Sequence, residues 1–507
     1  VTLNEHLYAV MSDGEALTVA TIMATVKQRG GHGVSRAVVE RTLVADGAFT
    51  REGSRAKPLW RYTGPVEVPR AVGQLPDLWP WQSAALLAWS QTCQGVIEAV
   101  TGTGKTRIAL AAIATVLQQG GRAVVLVPGS DLLLQWEREV KALLPNATVG
   151  RLGVGGDDDL FGSDVVIATA QSASRVPIDL PYDTLGLVVA DEVHRFGAET
   201  WSDALPDVFT LRLALTATFE RDDDGVATHL RPYFGDVVFT YDFAAAAKDG
   251  VIAPFALALA PVEFTLDEAQ AYGHAQQRVS GAYRALLAAG SFPREPKAFL
   301  QAVTARVAEA QQAGVDTPVA ARCRDYLYWL RQRREIAASA SSKLDALGQV
   351  CAGLAAKQTL VFTDTVEQAL AAARVVNSHG LRAEVLHGEL DERTRKARMA
   401  AFRAGRTEVI VAPRVLDEGV DVPDADVAVV LSAFQTRRQM VQRLGRVVRL
   451  KGDGRSATCV VLYTKDTRED PANGGYAAFL ASVAPAATDV LYATDVGQVV
   501  SRLNPVL

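Results

Sequence analysis

Ala99-Val-Thr-Gly-Thr-Gly-Lys-Thr106 follows the apolar stretch Gly95-Val-Ile-Glu98, and this succession of strand and glycine loop sets the reading of the whole chain. A loop that cradles phosphate needs glycines so that backbone N–H groups can turn inward, a lysine to reach the β/γ-phosphates and a hydroxyl for Mg²⁺. Thr101, Gly102, Thr103, Gly104, Lys105 and Thr106 meet these needs, with Ala99 where the general pattern has its first glycine. A second element, Asp191-Glu192, ends the apolar run Leu185-Gly-Leu-Val-Val-Ala190. Both acids are expected at the carboxyl edge of a parallel sheet, where such folds bind ligands. Asp191 and Thr106 would then hold a metal and Glu192 would activate water. ATP and Mg²⁺ are the cofactors this pairing predicts.

The 507 residues suit about three domains. A formal net charge of −5 provides no global basic field, so nucleic-acid contact would rest on local patches. Cys93, Cys323, Cys351 and Cys459 show no C-x-x-C spacing, which argues against a zinc or iron–sulfur site and against a disulfide framework. A reducing cytoplasm is expected. No apolar run reaches membrane-spanning length; Ala256-Leu-Ala-Leu-Ala260 is short and bracketed by Pro254 and Pro261. The first six residues show no basic segment leading into an apolar core, so no signal peptide is read there.

Residues 1–66 read as a winged-helix-like nucleic-acid-binding module. Apolar positions at Leu7, Val10 and Met11, at Val19, Ile22 and Val26, and at Val38, Val39 and Leu43 give three short amphipathic helices, the third capped by Ser35. Two strands, residues 47–51 and 58–62, flank a turn-rich loop over 52–57 as a wing would, and Arg36, Arg51, Arg55 and Lys57 are its candidate contacts to DNA. Residues 67–255 alternate strand and helix as a first parallel-sheet domain, and residues 343–466 do so again. Between them, 256–342 is helical, and Arg322 to Arg334 mixes cations with Tyr326, Tyr328 and Trp329 as a strand-tracking surface does. Residues 467–507 are left as a C-terminal extension. The fold class is α/β, with two parallel-sheet domains, a helical insertion and a small N-terminal module.

The second α/β domain carries Val415-Leu-Asp-Glu-Gly-Val-Asp-Val-Pro423 and Gln442-Arg-Leu-Gly-Arg-Val-Val-Arg449. An arginine brought to the charge that develops in phosphoryl transfer is worth about 10³–10⁵ in rate. Arg446 and Arg449, three apart, are expected on one helical face, directed at a γ-phosphate.

Over roughly residues 74–465 the chain resembles the superfamily-two helicases and translocases, with RecA-like motor domains. Trp79-Pro-Trp-Gln82 is similar to their adenine-side motif, with Gln82 as reader. Thr216-Ala-Thr218 resembles the motif that couples nucleotide to nucleic acid. Leu126-Val-Pro-Gly-Ser130 and Thr169-Ala-Gln171 resemble strand-contacting segments. Asp-Glu-Val-His at 191–194, Leu-Thr-Ala-Thr-Phe-Glu-Arg at 215–221 and the 415–423 run are most similar to the XPB-like branch, near type III restriction-like motors. The resemblance implies ATP-driven movement on single-stranded or forked duplex DNA, with DNA repair as one setting. It places Gln442 on the γ-phosphate and Gly419 and Asp421 at the second-domain edge of the nucleotide cleft. The inter-domain helices resemble that branch's thumb-like insertion. Arg221-Asp222-Asp223 stands where relatives have the Arg-Glu-Asp element linked to strand opening, so these three residues, with Thr216 and Thr218, are expected to face nucleic acid. A monomer is expected, with a nuclease or repair protein as partner and no membrane association. An RNA helicase, a restriction or defence translocase subunit and a nucleotide-switched winged-helix regulator are the alternatives.

Overall fold

The computed structural model describes residues 7, 9–11, 15–29, 35–45, 49–54, 57–62, 77–181, 184–221, 223–413, 425–432 and 437–504. Two compact units divide the chain: residues 1–99 with 104–241, and residues 100–103 with 242–507.

The first unit opens with helices Val19–Gln28 and Arg36–Ala45 and an antiparallel hairpin, β1 (Phe49–Ser54) and β2 (Lys57–Tyr62). Leu7, Met11, Val19, Ile22, Val26, Val39, Leu43, Phe49 and Trp60 form their common core. Trp60 also exchanges two 2.8 Å backbone hydrogen bonds with Leu17. The wing expected as a loop over 52–57 is mostly strand: the ladder runs on to the Ser54–Lys57 pair.

Then follows an eight-stranded sheet made of β3 (Gln94–Ala99), β4 (Arg122–Val127), β5 (Val149–Gly153), β6 (Gly156–Asp157), β7 (Val165–Thr169), β8 (Gly186–Asp191), β9 (Leu211–Thr216) and β10 (Val237–Tyr241). Its order is β10-β3-β9-β8-β4-β7-β5-β6, parallel except for the β5–β6 pair. All residues of β7 and β8 are buried, as strands covered on both faces require. The central strands β3, β8 and β9 therefore deliver Ala99, Asp191 and Thr216 to one carboxyl edge.

The second unit holds a seven-stranded parallel sheet: β11 (Phe255–Val262), β12 (Thr359–Thr363), β13 (Ala383–Val385), β14 (Val409–Pro413), β15 (Val427–Val430), β16 (Ala457–Thr464) and β17 (Asp489–Tyr492), ordered β13-β14-β12-β15-β16-β11-β17. Two boundaries drawn from the sequence move as a result. The run 255–262 belongs to this sheet, paired on one side with β16 and on the other with β17, so it lies neither in the first domain nor in the helical insertion. Residues 467–507 are no appendage, because β17 extends the sheet and Val496, Val499 and Leu503 of the last helix enter its core. Pro261 is tolerated because β17 pairs only with residues 256–259, leaving the missing N–H beyond its reach.

From β11 the chain leaves for helices Leu266–Ala288, Pro296–Ala313 and Pro318–Ala338. A Thr265/Glu268 capping box starts the first, and Glu295 and Thr317 cap the other two ahead of prolines. A small core of Leu286, Phe299, Val303 and Cys323 joins them.

Candidate active site

The glycine loop is shaped by backbone geometry. Gly102 and Gly104 take φ of +89° and +85°, values that side chains resist, and Gly104 caps the helix Lys105–Gln118. A helix that starts directly from a glycine loop leaves first-turn N–H groups without intrahelical partners, the general arrangement that binds phosphate. The Lys105 ammonium donates to the Ala99 carbonyl at 2.7 Å, and the Thr103 hydroxyl to Val100 at 2.7 Å. Thr101 Oγ1 is buried without a hydrogen-bond partner. Thr106 is the second residue of the helix. Gln82 ties the loop to the 79–82 turn: its amide donates to the Gly104 carbonyl at 3.1 Å and accepts from the Trp79 N–H at 2.9 Å.

At the end of β8, Asp191 is 8% exposed. Burial pushes its carboxyl above the ordinary range, opposed by the indole of Trp136 and by the Lys105 charge. Trp136 Nε1 donates to Oδ2 and the Glu192 N–H to Oδ1, both at 2.9 Å, so each carboxylate oxygen is oriented by a neutral donor. Sequence reading missed Trp136. Its signal was a tryptophan on the buried face of the helix Ser130–Leu143, since a buried indole N–H needs an acceptor. Glu192 is left-handed at φ +51°, ψ +48°, a strained state costing about 1–3 kcal/mol that clusters at working sites. The turn Val193–Gly197 follows.

His194 of that turn and Thr216 and Thr218 at the end of β9 are 3%, 0% and 1% exposed. The Thr216 hydroxyl donates to the Thr218 carbonyl at 2.8 Å, so it accepts at 3.2 Å from His194, whose Nδ1 carries the proton. Glu192 Oε2 stands 3.5 Å from that same nitrogen. Thr216 and Thr218, expected beside nucleic acid, are buried here at the end of a central strand, in contact with the 193–197 turn.

Arg221 was expected beside nucleic acid as well. Its side chain, 14% exposed, is engaged within the protein: Nε and Nη2 donate to the two Asp223 oxygens at 2.6 and 2.5 Å, and Nη1 donates to the His194 carbonyl at 2.5 Å. The guanidinium holds the Asp223 carboxyl below its usual range. Asp222 lies outside the described residues.

In the second unit Gln442 and Arg446 are buried on the helix Arg437–Val447. Arg449 lies past the end of that helix, in a bridge to Ile252, so it does not share a helical face with Arg446. Residues 100–103 belong to this unit: a Cβ on Gly445 would stand 2.7 Å from Thr101 Cβ, and one on Gly102 would stand 3.0 Å from Arg449 Cγ. Only glycines permit this approach. Gly419 and Asp421 lie outside the described residues, as does Arg55.

Two arginines of the basic patch read from the sequence, Arg324 and Arg331, are paired with acids. Arg324 pairs with Asp316 at 2.6 Å, Arg331 with Glu335 at 2.6 Å and Arg278 with Asp325 at 3.0 Å, while buried Arg333 donates to Gln276. Tyr326 packs on the small helical core, and Trp329 donates to Asp325. Arg36 is paired with Glu40 at 2.8 Å; Arg51 is exposed; Lys57 is placed by its backbone alone.

The donor set fits Mg-nucleotide. A single buried carboxylate and a helix-start hydroxyl suit Mg²⁺, which takes one or two carboxylates plus substrate phosphates. Among the described residues no cage of three or more acidic, His or Cys ligands exists, and no helix is long and apolar enough to cross a membrane.

Known families match in two places. Residues 76–221 match the family described as type III restriction enzyme, res subunit, and residues 342–451 match the helicase conserved C-terminal domain. A protein of Sulfurisphaera tokodaii named DNA 3'-5' translocase XPB2 is 30% identical over 400 residues, 78% of this chain and 83% of its own length. One of Kineococcus radiotolerans named DNA 3'-5' helicase XPB is 24% identical over 401 residues, and the chain spans 60% of its length. Among solved structures, S. cerevisiae Dbp5 bound to RNA and ADP BeF3 shares the fold, with a TM-score of 0.52 at 14% identity over 84% of this chain and 92% of that one.

Proposed function

The chain belongs to the XPB-like branch of the superfamily-two helicases, and from that membership we propose that it is a DNA-dependent ATPase that turns hydrolysis into movement along DNA. Its XPB2 relative is named a DNA 3'-5' translocase, and the likeness to that protein extends over most of both chains. The observation that carries the chemistry is the shared edge of β3 and β8. There Lys105 leads out of the phosphate loop, and Asp191 is oriented through both oxygens beside a strained Glu192.

In this reading Gly102, Gly104, Lys105 and Thr106 hold the triphosphate and its Mg²⁺ with Asp191, and Glu192 takes a proton from the attacking water. When bound, Mg²⁺ neutralises developing phosphate charge. Gln82 braces the loop on the base side. Gln442, Arg446 and Arg449 serve the γ-phosphate.

ATP turnover and nucleotide binding of Lys105→Ala and Glu192→Gln, measured with single-stranded, duplex and forked DNA and with RNA, test the proposal. Lys105→Ala loses nucleotide affinity and turnover; Glu192→Gln keeps ATP bound and hydrolyses little of it. Hydrolysis near the wild-type rate in either variant ends the reading, and stimulation by RNA in preference to DNA replaces the substrate.

A further inference from the structure

Arg221 lies on a floor made by two glycines. A Cβ on Gly197 would sit 2.7 Å from Arg221 Cδ, and one on Gly225 would sit 2.0 Å from the Gly197 carbonyl oxygen, so neither position admits a side chain without displacing the contact. Over this floor the guanidinium reaches the His194 carbonyl with one nitrogen and both Asp223 oxygens with the other two. Gly225 N–H in turn donates to Asp223 Oδ1 at 3.1 Å, closing the loop on itself. His194 is two residues from Glu192, inside the turn that starts from the left-handed Glu192, and Arg195 N–H returns to the Glu192 carbonyl at 2.9 Å.

We propose that Arg221 is a positioning residue for hydrolysis: it latches the 193–197 turn to the 221–225 loop and thereby holds Glu192 in its strained conformation. Left-handed backbone at a non-glycine residue persists only where its surroundings over-determine it. Beyond the bonds of Glu192 itself to Asp191 and Arg195, two restraints act on the turn through His194: the His194–Thr216 hydrogen bond and the Arg221–His194 bond. The first fastens an imidazole. The second fastens the main chain itself, and an arginine fork is the side chain that can join a carbonyl and a carboxylate at once. On this account the 221–223 element acts on the rate of ATP cleavage before it acts on any strand.

The inference rests on Glu192 as the group that activates water, so Glu192→Gln is measured alongside in the full-length chain. Wild-type hydrolysis by Glu192→Gln overturns the reading of Glu192 and leaves the latch without a client. Given loss of hydrolysis there, Arg221→Ala is expected to lower turnover at saturating ATP by about 10²-fold, the scale of a 1 Å misplacement, both without DNA and with it. Affinity for a fluorescent ATP analogue stays within about twofold, and strand displacement falls in step with hydrolysis, so movement per ATP is unchanged. Arg221→Lys recovers little, because one ammonium cannot span both acceptors. Asp223→Ala keeps the bond to His194 and shows a smaller loss of the same kind, which also serves should Arg221→Ala fail to fold. Intact DNA-independent turnover in Arg221→Ala or Arg221→Lys, with strand affinity or displacement lost, overturns the proposal in favour of a strand grip. Wild-type turnover in Asp223→Ala also counts against it.

Discussion

Two buried carboxylates, one in each unit, are handled in opposite ways. Glu469 is 1% exposed and meets Lys343, 0% exposed, at 2.6 Å. It also accepts from the Thr464 N–H at 3.0 Å, so the protein's own chain neutralises it. Asp191 is about as deeply placed, yet its direct donors are neutral, an indole and a peptide N–H, and the nearby lysine bonds a carbonyl instead. A buried charge matched by a fixed cation serves the fold. A buried charge oriented by neutral donors is what the proposed Mg²⁺ role of Asp191 calls for.

Exchanging the charges is the sharpest way to break this contrast. Asp191→Asn should abolish Mg²⁺-dependent turnover. Burial raises the native pKa of Asp191 above its unfolded value, so ionisation at neutral pH works against folding; the amide relieves that charge but sets an NH2 against one of the two donors, and the melting temperature without nucleotide should change far less than when the Lys343–Glu469 pair is broken. A marked fall in melting temperature would make Asp191 a structural acid like Glu469. Next in size, Lys343→Met leaves Glu469 buried without its cation and should cost about 3–5 kcal/mol in denaturant unfolding, while turnover per folded molecule persists. Adding Glu469→Leu should recover much of that stability. If Lys343→Met instead removed turnover at unchanged stability, the second pair would be a working site. The smallest effect sharpens the contrast: Trp136→Phe keeps the packing but frees one Asp191 oxygen, and should raise the Mg²⁺ concentration needed for half-maximal turnover by about tenfold. An unchanged Mg²⁺ titration would mean that the indole serves the core alone.

What was legible in the sequence was local. Gly102, Gly104 and Lys105 lie within four residues of one another, and Asp191-Glu192 closes a run of strand, so spacing alone exposes them. Trp136 meets Asp191 across 55 residues, and no local pattern carries that pairing. Composition misled where charges had partners: Arg324 and Arg331 of the helical insertion are matched by Asp316 and Glu335. Arg221 was expected to face nucleic acid because it stands where relatives have an Arg-Glu-Asp element; that placement by resemblance carries no sign of its bonds to Asp223 and to the His194 carbonyl. Residues 256–260 of β11 looked like a short apolar stretch between prolines, since the strand's partners in the sheet are far away along the chain.

That separation has a consequence for how the molecule is made. β11 lies inside its sheet, but both neighbours are synthesised about 200 residues after it, which at about 5–20 residues per second means a wait of roughly 10–40 s at the ribosome. The three insertion helices pair mainly with one another and can form during that interval. The waiting strand reads Phe-Ala-Leu-Ala-Leu-Ala-Pro-Val, small at alternate positions and interrupted by a proline. Such a segment is a poor template for self-association, a property that matters most for a strand born long before its partners.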